Sequence, residues 1–459
     1  MGHLIPFVEF AKLFVLHHDF HITCIIPVFG SPPKAMKEVL EALPTSIDHV
    51  FLPPVSSDGL ESLHPEVQIA VTMTRSLPSL PEVLKSTRVT ALVVDVFGMD
   101  ALHVAKELNI PPYIYFLANA FSLSLLSRLP KIDETVSCEN TLRKIPGATT
   151  GDLPEPLKLP GCIPIHSRDL PDPIQDRTAE GIILNTFMEL EESAVKALLE
   201  EEAKNLSLYP IGPITRTGSN SSNQVEGSVC LRWLDNQQHG SVLFVCFGSG
   251  GTLSYEQIVE FRNSLKFPTQ INELALGLEL SGYKFIWVLR SPNNKSSITY
   301  LSDQTHDNNP LAFLPKGFVE RTKGQGLVVP FWALQVQVLS HSSTGGFLTH
   351  CSWNSILESI THGIPLITWP LFAKQRLNAV LLDEDLKVAL RPKANEKGLM
   401  DREEIAKVIK GLMVRVEGKK VKSHMKGLKI AAERALSADG SSTEALAEFA
   451  SYCTNQPSF

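Results

Sequence analysis

Residues 331–375 read FWALQVQVLSHSSTGGFLTHCSWNSILESITHGIPLITWPLFAKQ, and one βα unit in that stretch constrains the whole chain. Phe347, Leu348 and Thr349 read as the end of a short buried strand. His350 to Asn354 turn the chain, and Ser355 to Ile360 open a helix that Gly363-Ile364-Pro365 ends. Leu366 to Trp369 make the next strand. A strand, a sharp turn, a helix and a second strand form the repeating unit of open parallel α/β sheets. Ligands in such sheets sit at the carboxyl ends of strands. A helix that starts there offers unpaired N–H groups and a positive dipole end to an anion.

The same alternation recurs on both sides of a polar linker. Before it, Leu4–His17 has helical spacing, and Phe20–Pro27, Val89–Val94, Tyr113–Phe116 and Gly181–Phe187 read as strands. A helix is expected over Met99–Leu108, and residues 139–178 read as loop. Tyr209–Pro213 and Thr215–Gly227 form the linker. After it, Val242–Phe247, Phe285–Leu289 and Leu327–Pro330 restart the pattern. The expected architecture is α/β, with two doubly wound, Rossmann-like domains.

Composition narrows the function. The 459 residues carry 42 Lys and Arg against 49 Asp and Glu, a net charge of −7, which excludes nucleic acid and anionic membranes as main partners. No apolar run reaches the roughly 20 residues that span a bilayer, and the segment from Leu4 to Leu16 carries Glu9 and Lys12 with no basic region before it, unlike a signal peptide. The seven cysteines (24, 138, 162, 230, 246, 351, 453) are scattered without a C-x-x-C pair, as in a reducing compartment. Cytoplasm is the expected location. No metal-ligand cluster is visible.

The βα unit offers a set of polar groups. Asn354 and Ser355 add donors at the helix start, and His350 adds another. Glu358 shares a helix face with Asn354 and Ser355, where a carboxylate suits two adjacent ribose hydroxyls. Trp332 offers a flat face to a base. Each residue has a plainer reading: Ser355-x-x-Glu358 fits a capping box equally well, Trp332 fits a core, and His350 fits a structural histidine. Phe247-Gly-Ser-Gly-Gly-Thr252 follows a strand and could cradle a phosphate, although tight turns use glycine anyway.

The complete string closely resembles the signature box of plant family 1 UDP-glycosyltransferases. The resemblance extends to 93–98 (VVDVFG), 159–162 (LPGC), 231–235 (LRWLD), 240–251 (GSVLFVCFGSGG), 314–318 (LPKGF) and 439–443 (DGSST), and so covers nearly the whole chain. Within the family it is nearest the hydroquinone (arbutin-forming) glucosyltransferase group. The resemblance implies the GT-B fold, two Rossmann-like domains facing a cleft. It implies an acceptor-binding domain over 1–208, a linker over 209–229, a UDP-sugar-binding domain over 230–440 and a helix over 441–459 that crosses back to the first domain. It implies transfer of a hexose, glucose foremost, from UDP-sugar to a hydroxyl of a small phenolic or other hydrophobic aglycone. The reaction would be inverting and metal-independent, with UDP-sugar as co-substrate, no further cofactor, and a monomeric enzyme. UDP-sugar contacts would come from Ser249, Trp332, Ala333, Gln335, His350, Trp353, Asn354, Ser355, Glu358, Lys374 and Gln375. His3, in a Gly-His-Leu-Ile-Pro context, matches the general base, and Asp95, after the strand ending at Val94, matches its orienting carboxylate. Leu117 and Phe121 fit acceptor-pocket walls or core equally.

The chain departs from the family pattern in several places. The strand that normally precedes His3 is missing, so the base is expected on a free terminus and poorly placed. Lys374 stands where the family has Asp or Glu; it reverses the charge at the sugar end and supplies donors where acceptors are expected. Leu334 replaces proline. Ser352 replaces glycine, which would strain a turn of positive φ. Residues 259–269 form an apparent insertion, and a helix of the relatives is absent near Arg177. Together these favour either an imperfect gene model or a decayed paralogue. The alternative to an active transferase is therefore a silent protein that still binds UDP or a small molecule.

Overall fold

The computed structural model describes residues 3–56, 65–135, 158–164, 179–202, 207–216, 224–248, 269–290, 309–371, 374–396 and 398–455. The chain separates into two compact units: residues 1–168, 172–217 and 431–459 form the first, and residues 169–171 and 218–430 form the second. The apparent insertion up to Pro268 and the region around Arg177 lie outside the described residues.

The first unit contains β1 (Ile22–Ile26), β2 (Ile47–Phe51), β3 (Leu92–Val94), β4 (Pro112–Phe116), β5 (Gly181–Leu184) and β6 (Ser207–Pro210). These make two parallel sheets, β1-β2 and β3-β4-β5-β6. No ladder joins β1 to β3 among the described residues. The two sheets nevertheless share their cores. Ile25 packs with the cluster of Val94, Ile114 and Leu184, while Ile22 packs with the cluster of Phe10, Tyr113, Tyr115 and Phe449. The Ser441–Asn455 helix closes that second cluster through Leu446, Phe449, Ala450 and Cys453.

Several expected elements shift. The Val89–Val94 strand begins only at Leu92, and the Gly181–Phe187 strand ends at Leu184. Just past it, the Asn185 side chain bonds both the N–H and the C=O of Ile214. Tyr209 and Pro210 belong to β6 and not to a linker, and Tyr209 is buried. Phe121 is core, and its N–H, with that of Ala120, donates to the buried Glu191 carboxylate, which caps the Ala120–Thr135 helix.

The second unit is one parallel sheet of β7 (Val242–Cys246), β8 (Lys284–Leu289), β9 (Gly326–Pro330), β10 (Thr344–Thr349), β11 (Leu366–Thr368) and β12 (Ala389–Leu390). Its order is β12-β11-β10-β7-β8-β9, so the strand order reverses between β7 and β10. β7, β10 and β11 are buried throughout; β7 (VLFVC) is an unbroken apolar run, whereas β10 (TGGFLT) has threonine at both ends and two glycines between. Helices Thr269–Ser281 and Arg402–Met413 pack together on one face, and Glu273 receives Nε and the backbone N–H of Arg402 at 2.9 and 2.7 Å. That guanidinium holds the Glu273 carboxyl below the usual carboxylate range.

Candidate active site

A doubly wound sheet opens a crevice where its strand order reverses, because the two flanking crossovers leave in opposite directions. In the second unit that point lies between the carboxyl ends of β7 and β10. Gly248 follows β7 with φ +78°, and His350 follows β10. The two are in close contact: a Cβ on Gly248 would stand 2.5 Å from Cε1 and Nε2 of His350. His350 is buried, its Nδ1 has no hydrogen-bond partner, and burial lowers its pKa to about 4. A neutral imidazole with an unsatisfied buried nitrogen therefore faces the crevice.

The next helix runs Trp353–His362 and ends at Gly363, whose φ of +74° gives the expected C-terminal stop. Ser352 is its N-cap, in extended conformation, and makes no side-chain cap bond. The first turn carries no acidic residue and is largely buried, with Trp353 and Ser355 each 4% exposed. The positive end of the helix dipole lies here, and it favours an anion. Ser352 is not the strained residue of the turn. Its φ is −67°, and the left-handed position is Cys351, at φ +65°. Thr349 Oγ1 accepts from Cys351 N–H at 3.2 Å, and Asn378 Nδ2 donates to Cys351 O at 2.9 Å.

The capping-box reading is overturned. Ser355 lies inside the helix, where its Oγ accepts from Ser352 Oγ at 3.0 Å, and a second donor comes from farther back in the chain. Gln335 Nε2 donates to Glu358 Oε2 at 2.7 Å and to Ser355 Oγ at 3.0 Å. One amide thus gathers the residues expected at a ribose. Gln335 opens the Gln335–Ser340 helix behind Trp332, which is half-buried, and Ala333, which is buried. Leu334 is the N-cap of that helix with φ −73°, a value proline shares. Farther along, Lys374 is the half-buried N-cap of the Gln375–Val380 helix, and Gln375 is buried with Oε1 accepting from Leu371 N–H at 2.8 Å. Gln335, Ser355 and Glu358 are brought together, as are His350 and Gly248. Ser249 lies outside the described residues. The sequence reading missed Asn378 and the left-handed Cys351. Cys351 is a side chain in a turn where glycine would be cheaper.

In the first unit His3 Nδ1 lies 2.7 Å from Asp95 Oδ2. The expectation of a poorly placed base is corrected. His3 is the N-cap of the Leu4–His18 helix, its carbonyl accepts from Phe7 N–H, and its ring packs 5.1 Å from that of Phe97. Asp95 is fixed in turn, since its Oδ1 accepts from the N–H groups of Phe97 and Gly98 at 2.9 and 3.0 Å. The His3 side chain is 46% exposed and that of Asp95 is 14% exposed. A carboxylate on Nδ1 favours the tautomer with the proton on Nδ1 and the lone pair on Nε2. Among the described residues no three His, Cys, Asp or Glu side chains form a metal-binding group.

Comparison with known proteins agrees with this chemistry. The UDP-glucoronosyl and UDP-glucosyl transferase family matches residues 265–414. Hydroquinone glucosyltransferase of Rauvolfia serpentina is 52% identical over 472 residues, covering 98% of this chain and 95% of that protein. UDP-glycosyltransferase 72B1 of Arabidopsis thaliana is 50% identical, covering 97% and 92%. Among solved structures, Phytolacca americana UGT2 complexed with UDP-2fluoro-glucose and pterostilbene superposes with a TM-score of 0.85 at 46% identity, covering 99% of this chain and 98% of that one. The chain has the GT-B fold and belongs to the plant family 1 UDP-glycosyltransferases, near the hydroquinone glucosyltransferase group.

Proposed function

We propose that this protein transfers glucose from UDP-glucose to a hydroxyl of a small phenolic acceptor, with inversion and without a metal ion. The observation that carries the reading is the N-terminus of the Trp353–His362 helix, whose N-cap Ser352 makes no side-chain cap bond, beside His350 with its unsatisfied Nδ1. There the diphosphate meets backbone N–H groups, the side chain of Asn354 and a neutral imidazole. Ser355, Gln335 and Glu358 take the ribose hydroxyls, and Trp332 with Ala333 takes the uracil. We assign Ser249, by the family resemblance, a further phosphate contact, and Trp353 a place in the same site. Gln375 and Lys374 stand at the sugar. The acceptor and sugar assigned here match the phenolic and UDP-2fluoro-glucose in the Phytolacca structure and the name of the Rauvolfia relative.

The chemistry follows from the dyad. The acceptor oxygen attacks the anomeric carbon as the bond from that carbon to the β-phosphate oxygen breaks. UDP departs with the electron pair. His3 Nε2 takes the acceptor's proton, and Asp95 stabilises the imidazolium that results. Charge building on the departing diphosphate falls on the helix N-terminus, which offsets it without a cation. The six described cysteines are all free, in keeping with a cytoplasmic protein, and we take the monomer as the working unit. The chain as given, mixed with UDP-glucose and hydroquinone, is expected to release UDP and form the glucoside in equal amounts. Tight UDP binding without glucoside from any phenol tried would establish the silent alternative.

A further inference from the structure

Arg290 follows β8 and Phe331 follows the neighbouring β9, so the two lie side by side at the carboxyl edge of the sheet. Phe331 adopts φ +64°, a left-handed conformation that costs a bulky side chain about 1–2 kcal/mol. Trp332 N–H donates to Pro330 O, two residues back, at 2.8 Å, which closes a three-residue turn centred on Phe331. Such a turn persists only where its surroundings fix it. Phe331 N–H is fixed by Leu289 O at 2.8 Å, and Phe331 O accepts from Arg290 Nε at 3.0 Å. Both peptide groups of the strained residue are thus tied down, the second by a charged side chain. The turn sets the direction in which Trp332 leaves the sheet, and Gln335 starts the next helix three residues on.

We infer that Arg290 is a positioning residue for the nucleotide: its bond to the Phe331 carbonyl holds the strained turn that aims Trp332 at the base. The inference rests on the function proposed above. A mere strand-end clasp would affect stability alone. A positioning role affects the base in particular.

Glutamine separates these, because its Nε2 is attached at the same point of the side chain as Nε of arginine and can donate without charge. Three proteins are compared: wild type, Arg290→Met and Arg290→Gln. The measurements are calorimetric Kd values for UDP and for ADP, thermal midpoints, and KM and kcat for UDP-glucose with hydroquinone. Arg290→Met is expected to raise Kd for UDP and KM about tenfold, a loss of about 1.4 kcal/mol, with kcat within about twofold. Its preference for UDP over ADP should fall by a similar factor, because the platform for the base is displaced. Arg290→Gln should recover most of both. The inference is overturned if the Met variant binds UDP as wild type does, if it keeps the full preference for UDP over ADP, or if the Gln variant is as impaired as the Met variant. Should the Met variant fail to fold, the Gln variant alone decides: near-native Kd and base preference support the inference, and loss of both overturns it. Failure of wild type itself to bind UDP would instead remove the proposed function, and this inference with it.

Discussion

Gly248 and His350 touch across the point where the second sheet reverses its strand order: a Cβ on the glycine would stand 2.5 Å from Nε2 of the imidazole. The glycine also has φ +78°. Gly248→Ala therefore meets backbone strain and a collision with a buried ring at once. We expect a loss of about 1–3 kcal/mol of stability and at least a tenfold weaker UDP affinity, read by thermal unfolding and calorimetry. Unchanged UDP affinity would separate His350 from the phosphate.

His350 also gives a pH dependence with a definite sign. Burial depresses its pKa from 6.5 to about 4, so between those values the unfolded chain binds the additional proton. Stability from this group is complete above about pH 6.5 and is lost as pH falls toward 4, by about 1.4 kcal/mol per pH unit inside the window. Asp383 and Asp385, raised by burial, act in the opposite sense as pH falls. Comparing denaturant midpoints of wild type and His350→Gln cancels their part. The difference between the two proteins should shrink on acidification; a constant difference from pH 7 to 4.5 would contradict a neutral buried imidazole.

Asp95→Asn tests the dyad with little cost to the fold, since the amide oxygen can still accept from Phe97 and Gly98. Its NH2 group would face Nδ1 and favour the wrong tautomer. A fall in kcat of about 100-fold or more is expected, as for His3→Ala. UDP affinity should stay within twofold, because the pocket residues belong to the other unit. Activity of His3→Ala near that of wild type would end the assignment of the base.

Glu358 should read the ribose. Glu358→Ala removes the acceptor that Gln335 and the sugar would share, and we expect Kd for UDP to rise about tenfold. The ratio of affinities for UDP and 2′-deoxy-UDP should fall toward one. A retained ratio would assign the carboxylate to the protein's own hydrogen bonding.

Lys374→Glu restores the family's charge at the sugar end. KM for UDP-glucose should drop severalfold with kcat equal or higher, while Kd for UDP, which lacks the sugar, stays constant. A parallel change in UDP affinity would place residue 374 away from the hexose.

The parts of the fold that could be read from the chain are those where local chemistry and tertiary role agree. β7 is buried throughout and reads as an apolar run, the Phe347-Leu348-Thr349 end of β10 was legible, and Gly363 stops its helix as its sequence context indicated. β2 escaped because Asp48 and His49 interrupt it, and β6 because Tyr209-Pro210 resembles loop punctuation. The site was legible as a set of residue types but not as a network. Gln335 reaches Ser355 and Glu358 across 20 and 23 residues, so the local spacing that suggested a capping box could not reveal the true partner. His3 and Asp95 are 92 residues apart. The hold on His3 comes from the turn after β3, which no pattern near the terminus reports.

The break between β1 and β3 has its own outcome. In a parallel ladder, neighbouring residues alternate the side to which their backbone groups point. Ile22 N–H and Ile26 O bond toward β2, so Thr23 and Ile25 point away from it, and Leu92 N–H bonds toward β4, so Val93 does likewise. Among the described residues no strand pairs with either rim, and open rims of this kind are templates for other chains. A charged substitution on the β1 rim is accordingly expected to raise solubility at high protein concentration.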